Sequence, residues 1–360
     1  MVYIHVPFCH RKCTYCAFYS HGAPAPRRLT AYVDALLEEM ERRKSEQAHP
    51  IRTVYLGGGT PSILPLEELA RIVEGLRRCF DLSQVEEATI EANPEDLTPE
   101  YLLGLKELGL FNRLSIGIQS LDDEMLRLIG RRHTAAQALD ALERAHEAGF
   151  LNISVDFIYG LPKEFQFSTF NFQMVTHLSA YALTVEPGTA LARQVEQGRV
   201  TLPGEDEVVR QYHAFCRTFE AQGFGQYEIS NFCRPGFHSR HNSRYWDRTP
   251  YLGLGPSAHS FDGQRRMWNS PMDLDNGGWK MENEEVLSEA DAYNELLMTA
   301  LRTTLGIPLA MVPDKYKKEL HQKMQPYIEC GWITDEDNHY RPTREGLLHA
   351  DGMAAELFVA

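Results

Sequence analysis

Apolar positions along the chain follow two alternating periods. Short apolar runs such as "YIHV" at 3–6 and "TVYLGGGTPS" from Thr53 read as strands, whereas Tyr32, Leu36, Leu37 and Met40 recur at helical spacing within 28–44. The alternation continues: a helix is predicted over 66–78, a strand in "EATIEANPEDL", a helix over 101–108 and a strand in "RLSIGIQS". A helix over 122–129 follows, then "ALDALERAHEAG", a helix stopped at Gly149, a fifth strand in "NISVDFIYGLP" and a sixth in "LSAYALTVEPG". Strands alternating with helices imply a parallel sheet with right-handed crossovers. Six such repeats predict an α/β fold, a partial (β/α)6 barrel with its site at the C-terminal ends of the strands.

Two regions break the pattern. Between Pro162 and His177, Phe165, Phe167, Phe170 and Phe172 do not keep a helical period, which leaves strand, loop and irregular lid all open. From Ser288 onward, "EADAYNELLMTALRTTLGIPL" reads as an amphipathic helix ended at Gly306, followed by a short strand pair and a helix. That outline resembles a winged-helix unit. The expected organisation is a barrel over 1–200, an extension and linking region over 201–287, and a small α+β domain over 288–360.

Composition narrows the function. A length of 360 residues with 43% hydrophobic and 24% charged residues is that of an ordinary globular chain. No apolar stretch approaches the roughly 20 residues that cross a bilayer, and the N-terminus lacks a signal-peptide pattern, so a cytoplasmic location is expected. The formal charge of −14, with no basic recognition helix in the last domain, argues against nucleic acid as a partner.

Three of the seven cysteines, Cys9, Cys13 and Cys16, stand in a C-x3-C-x2-C loop, and the other four are scattered. A disulfide framework is not expected from an odd, mostly unclustered set. Zinc is the weaker reading, because no second pair of ligands stands at a fitting distance. Three thiolates in a short irregular loop suit three corners of a [4Fe–4S] cluster and leave its fourth iron open to an exogenous chelator. "GGGTPS" at 57–62 lacks the Lys of a phosphate-binding loop, so its glycines serve either close backbone approach to a ligand or a tight turn. Glu91, Gln119, Arg131 and Asp156 fall at strand ends or in loops, on the expected site face.

These segments, "YIHVPFC" with the cysteine loop, "GGGTPS", "EANPE", "SIGIQS", "GRRH" and "DFIYGLP", resemble the radical S-adenosylmethionine (SAM) superfamily. Within it they resemble the HemN/HemW-like subfamily, which holds oxygen-independent coproporphyrinogen III dehydrogenase and a group of heme chaperones. The resemblance runs from residue 3 to near the C-terminus. It implies a [4Fe–4S] cluster on Cys9, Cys13 and Cys16, and SAM contacts from Tyr3, Gly58, Gly59, Thr60, Glu91, Gln119, Arg131 and Asp156. Tyr15 matches the aromatic that packs on adenine.

Three features choose the branch. Phe18 stands where the dehydrogenase carries a further Cys, the first strand begins at residue 3 without that enzyme's N-terminal extension, and "HNSRYW" at 241–246 resembles the HNxxYW motif of the chaperones. His241 and Tyr245 could offer heme an imidazole and a phenolate, or could instead hold each other. The resemblance therefore implies a heme chaperone serving a heme-receiving membrane respiratory protein. Its other expected partners are an electron donor such as a flavodoxin or ferredoxin and a second copy of the chain. A radical SAM enzyme acting on a tetrapyrrole is the alternative, and a binding module with a structural cluster is the third reading.

Overall fold

The computed structural model describes residues 1–22, 24–47, 49–276 and 278–359. Its main sheet is built from six parallel strands laid side by side in chain order: β1 (Val2–Val6), β2 (Thr53–Gly58), β3 (Glu87–Ala92), β4 (Arg113–Gln119), β5 (Asn152–Tyr159) and β6 (His177–Ala182). Strict sequential order is what successive right-handed crossovers produce. Helices α1 (Pro26–Arg43), α2 (Leu66–Cys79), α3 (Pro99–Glu107), α4 (Asp123–Leu128) and α5 (Ala135–Glu147) make those crossovers.

The local chemistry of these elements is ordinary. Val54, Leu56 and their neighbours in β2 are buried on both faces, as parallel strands between layers must be. In α2, Leu69, Ile72, Val73 and Leu76 form one buried stripe, with Glu67 and Glu68 in the first turn and Arg77 and Arg78 in the last, complementing the helix dipole. A reciprocal cap between Thr134 and Gln137 starts α5, and Gly149, at φ +83°, carries the chain out of its end.

The sheet extends beyond the six strands. Leu252–Leu254 pairs parallel with β1, and Asn231–Cys233 pairs antiparallel with β6 and carries Gly225–Gln226 outside it, giving nine strands. Helix α6 (Ala190–Glu196) follows β6, and α7 (Glu205–Ala221) packs beneath β5 and β6. The phenylalanine-rich segment is a loop and not a strand. Phe165, Phe167, Phe170 and Phe172 turn inward around Phe157, Phe215 and Phe219, and one 3-10 turn at Phe172–Met174 leads into β6. Their spacing follows the aromatic cluster they fill.

Helix α8 (Arg240–Trp246) is "RHNSRYW". Beyond it, α9 (Glu289–Ala300), α10 (Asp314–Glu329) and a three-stranded antiparallel sheet surround a second apolar core that includes Tyr293, Leu297, Leu320, Met324 and Tyr340. The helix expected to run to Gly306 stops at Ala300. Gly306 instead sits at φ +69° hard against the Tyr340 backbone, where a Cβ would stand 2.1 Å from its carbonyl oxygen. No helix among the described residues is long and apolar enough to cross a membrane.

Candidate cluster and cofactor site

The cysteine loop leaves β1 and crosses the C-terminal ends of the strands. Phe8–Cys9 pairs briefly with His21–Gly22, closing the loop into a ring, and Thr14 pins its middle. The Thr14 amide and hydroxyl donate to the carbonyls of Ile129 (3.0 Å) and Leu128 (2.9 Å), and its own carbonyl accepts from the Leu191 amide (2.8 Å). An irregular loop is thus held by backbone partners on both sides, which leaves its thiols for other work.

Beneath it lies a cavity of about 490 Å3. Cys9, Cys13, Tyr15, Cys16, Gly58, Gly59, Thr60, Glu91, Gln119, Arg131 and Asp156 all line it. Tyr3 does not: its hydroxyl pairs with His5 Nδ1 at 3.0 Å and its ring stacks on Tyr55. His241 and Tyr245 do not line it either. Asn93, Ser115, Tyr181 and Glu186 line it without having been marked in the sequence. Asn93 sits in "EANPE", Tyr181 lies at the end of β6 and Glu186 a few residues beyond it, so the rule that places barrel sites at or just after strand ends could have found all three.

The glycines answer packing demands from β1 and from the cysteine loop that leaves it. A Cβ on Gly59 would stand 2.5 Å from the Phe8 carbonyl oxygen, and Gly58, at φ +109°, would press a Cβ into the His5 ring at 2.5 Å. Only glycine lets β2 approach the loop so closely. Gln119 takes the left-handed region at φ +68°, next to a register shift in the β4–β5 ladder. A non-glycine residue held there is a local strain that a site can use to aim a side chain.

Two donors reach the thiols. Thr60 Oγ1 stands 3.5 Å from Cys9 Sγ, and Arg131 Nη1 stands 3.6 Å from Cys13 Sγ. Burial alone would lower the Arg131 pKa, but Cys13, Tyr15 and Glu95 outweigh it and keep the guanidinium charged. Across the cavity, Glu91 accepts from the Tyr55 hydroxyl (2.7 Å) and the Gly58 amide (3.1 Å). Burial, reinforced by Asp156, still pushes the Glu91 pKa up to about 7, and burial raises Asp156 above the usual carboxylate range. The cavity therefore offers one wall of donors to thiolate and another of carboxylates short of a cation.

This donor set fits an iron–sulfur cluster. Among the described residues no three His, Cys, Asp or Glu side chains converge on a single-ion position. Thiolates that ligate different irons need not converge, because each corner of a cluster takes its own sulfur.

His241 and Tyr245 form a separate unit under the barrel. His241 is fully buried, with Nδ1 on Thr53 Oγ1 (2.9 Å) and Nε2 on the Tyr245 hydroxyl (3.0 Å), while its amide donates to Glu87 Oε1 (2.9 Å). The two side chains hold each other, and both imidazole nitrogens are engaged. Burial lowers the His241 pKa to about 3 and pushes the Tyr245 hydroxyl far above its usual value, so neither a charged ring nor a phenolate is favoured there.

Residues 3–166 match the Radical SAM superfamily and residues 287–349 the HemN C-terminal domain. The fold is shared with coproporphyrinogen III oxidase (HemN) from Escherichia coli, a radical SAM enzyme, at a TM-score of 0.82 and 22% identity over 99% of this chain and 89% of that one. The chain is 34% identical to the heme chaperone HemW of Bacillus subtilis (strain 168), with 96% of each covered. It is 36% identical to the heme chaperone HemW of Mycobacterium tuberculosis (strain ATCC 25618 / H37Rv), over 99% of this chain and 94% of the relative. The chain belongs to the radical SAM superfamily and, within it, to the HemN/HemW-like family.

Proposed function

We propose that the protein is a heme chaperone that holds a [4Fe–4S] cluster and SAM and passes heme to a membrane respiratory protein. The observation that carries the cofactor half is the single cavity lined by all three loop thiols together with Thr60, Glu91, Gln119, Arg131 and Asp156. Likeness over nearly the whole chain to proteins named heme chaperones supports the heme half.

Cys9, Cys13 and Cys16 would hold the cluster, whose open iron would supply a chelation point and an electron for SAM. The chain's own contribution is electrostatic and geometric. Thr60 and Arg131 stabilise thiolate charge by donating to sulfur. Glu91 and Asp156 give cationic and hydroxyl groups of SAM their acceptors, and Tyr15 gives its adenine an apolar face. Gly58 and Gly59 keep that wall thin. The expected partners are an electron donor such as a flavodoxin or ferredoxin, a second copy of the chain and the heme-receiving client.

Phe18 occupies the loop position that distinguishes the dehydrogenase, and it is 70% exposed. A chaperone reading requires no decarboxylation there. The test is to reconstitute the protein anaerobically, titrate heme, and assay 5′-deoxyadenosine and coproporphyrinogen consumption in parallel. Heme uptake without coproporphyrinogen turnover is expected, and turnover without heme uptake would overturn the reading.

A further inference from the structure

Glu95 closes the motif "EANPE" and His133 closes "GRRH", yet neither lines the cavity. The fold brings the two together. His133 Nδ1 stands 3.2 Å from Glu95 Oε2 and its Nε2 stands 3.0 Å from the Ile118 carbonyl oxygen, with the imidazole buried. The Ile118 oxygen can only accept, so Nε2 donates to it. A neutral ring would then turn the bare lone pair of Nδ1 toward a carboxyl group. Burial alone would raise the Glu95 pKa, but the His133 hydrogen bond, the residue's own amide and Arg131 outweigh it and hold the carboxyl below its ordinary range. Arg132 Nη1 adds a cation 3.5 Å from Oε1. Glu95 is therefore ionised, and the ring that faces it carries both protons.

Each end of this pair sits on a turn that supplies a side chain to the cavity. The Ser120 amide donates back to the Ile118 carbonyl at 2.8 Å across Gln119 at φ +68°, which is the rare, strained form of the three-residue turn. The Gln119 side chain folds over Gly117, where a Cβ would stand 2.8 Å from Gln119 Nε2 and 3.3 Å from Arg131 Nη2. Glu95 belongs to the 3-10 turn Pro94–Asp96, directly after Asn93, the side chain that accepts from Arg131. Arg131 and His133 thus tie the same two strand ends together, Arg131 within the cavity and His133 outside it.

We infer that His133, as an imidazolium paired with Glu95, is a positioning residue that holds the Gln119 turn against the Asn93 turn in the arrangement the cofactor cavity requires. The inference rests on the cofactor reading and goes beyond it. A doubly protonated ring donates at both ends at once, which a neutral imidazole cannot do. Its charge-assisted bond reaches the same carbonyl that closes the strained turn, and so offsets that strain where Gln119 is aimed.

The test uses two amide variants of the reconstituted full chain. Glutamine reproduces the reach of Nε2 and can still donate to the Ile118 carbonyl, whereas asparagine reproduces Nδ1 and reaches only Glu95. SAM affinity, read by isothermal titration, is expected to fall about tenfold or more in His133→Asn and clearly less in His133→Gln. A general folding defect would not sort the two amides in this way. Nitrogen NMR spectra of the ligand-free wild type at neutral pH are expected to show one histidine with protons on both ring nitrogens, a signal that His133→Gln removes. A singly protonated His133, or equal SAM affinity in the two variants, would overturn the inference and spare the cofactor reading. No SAM binding by wild type would overturn that reading and this inference with it.

Discussion

Arg131 joins the cysteine loop to the opposite wall of the cavity. Its Nη1 lies 3.6 Å from Cys13 Sγ, while Nη2 donates at 2.6 Å to both Asn93 Oδ1 and the Gly117 carbonyl. One planar group thus fixes a thiol, the turn after β3 and the bulged end of β4 in one arrangement. A lysine can keep the charge but cannot span the three acceptors. Arg131→Lys and Arg131→Ala are both expected to lower iron and sulfide content after reconstitution, Ala the more. A full cluster in Arg131→Ala would remove Arg131 from any positioning role.

The thiols divide into two groups by place. Cys9, Cys13 and Cys16 line the cavity, whereas Cys216 and Cys233 are buried elsewhere, Cys79 lies on α2 and Cys330 is exposed after α10. Alanine at any of the first three is expected to abolish the brown absorption of a [4Fe–4S] cluster. Alanine at any of the other four is expected to leave it. The measurement is iron content with the visible spectrum, and a complete cluster in Cys9→Ala would contradict the assignment.

Glu91 gives the cavity a pH dependence. With its pKa pushed up to about 7 by burial, it is mostly protonated at pH 6 and mostly ionised at pH 8 in the absence of ligand. If the ionised form receives a cationic group of SAM, affinity should fall about tenfold between pH 8 and pH 6. Glu91→Gln should bind weakly and without that slope. The stability consequence has the opposite sense: a raised carboxylate pKa lets ionisation oppose folding as pH rises from about 4.5 through about 7. Glu91→Gln should therefore raise the unfolding midpoint of the ligand-free protein at pH 8 and not at pH 4. Isothermal titration and denaturant unfolding read the two effects, and a wild-type affinity flat across this range would refute the role.

Much of this architecture is written in short-range pattern. The six strands are apolar runs bounded by turn residues, and Glu91, Gln119, Arg131 and Asp156 stand out because they interrupt or follow those runs. Pattern fails where tertiary contact decides. Leu252–Leu254 is too short to announce a strand, yet β1 recruits it as a parallel neighbour. The four phenylalanines after Pro162 take their positions from Phe157 on β5 and Phe215 and Phe219 on α7, residues distant in sequence. Tyr3 carries the resemblance to a SAM contact, but its hydroxyl reaches His5 instead of the cavity. The His241–Thr53 bond has no local signature, since it depends on an oxygen supplied by the fold.

The buried His241 makes a last prediction about acid stability. Burial is the main cause that lowers its pKa to about 3, with the N-terminal amine and Arg113 adding repulsion. In the unfolded chain the ring titrates near about 6.5. A lowered folded value means the stabilisation is complete above the unfolded pKa and is lost progressively as pH falls from about 6.5 toward about 3. At pH 5.5 the loss attributable to this one ring should be about 1.4 kcal/mol relative to pH 7.5. His241→Gln, which keeps hydrogen-bonding capacity for Thr53 and Tyr245 without a titrating group, should be less stable than wild type at pH 7.5 and show a correspondingly shallower acid decline. Equal pH slopes in the two proteins, measured by denaturant unfolding at both pH values, would show that His241 takes up its proton in the folded state and that the ring is not sealed beneath the barrel.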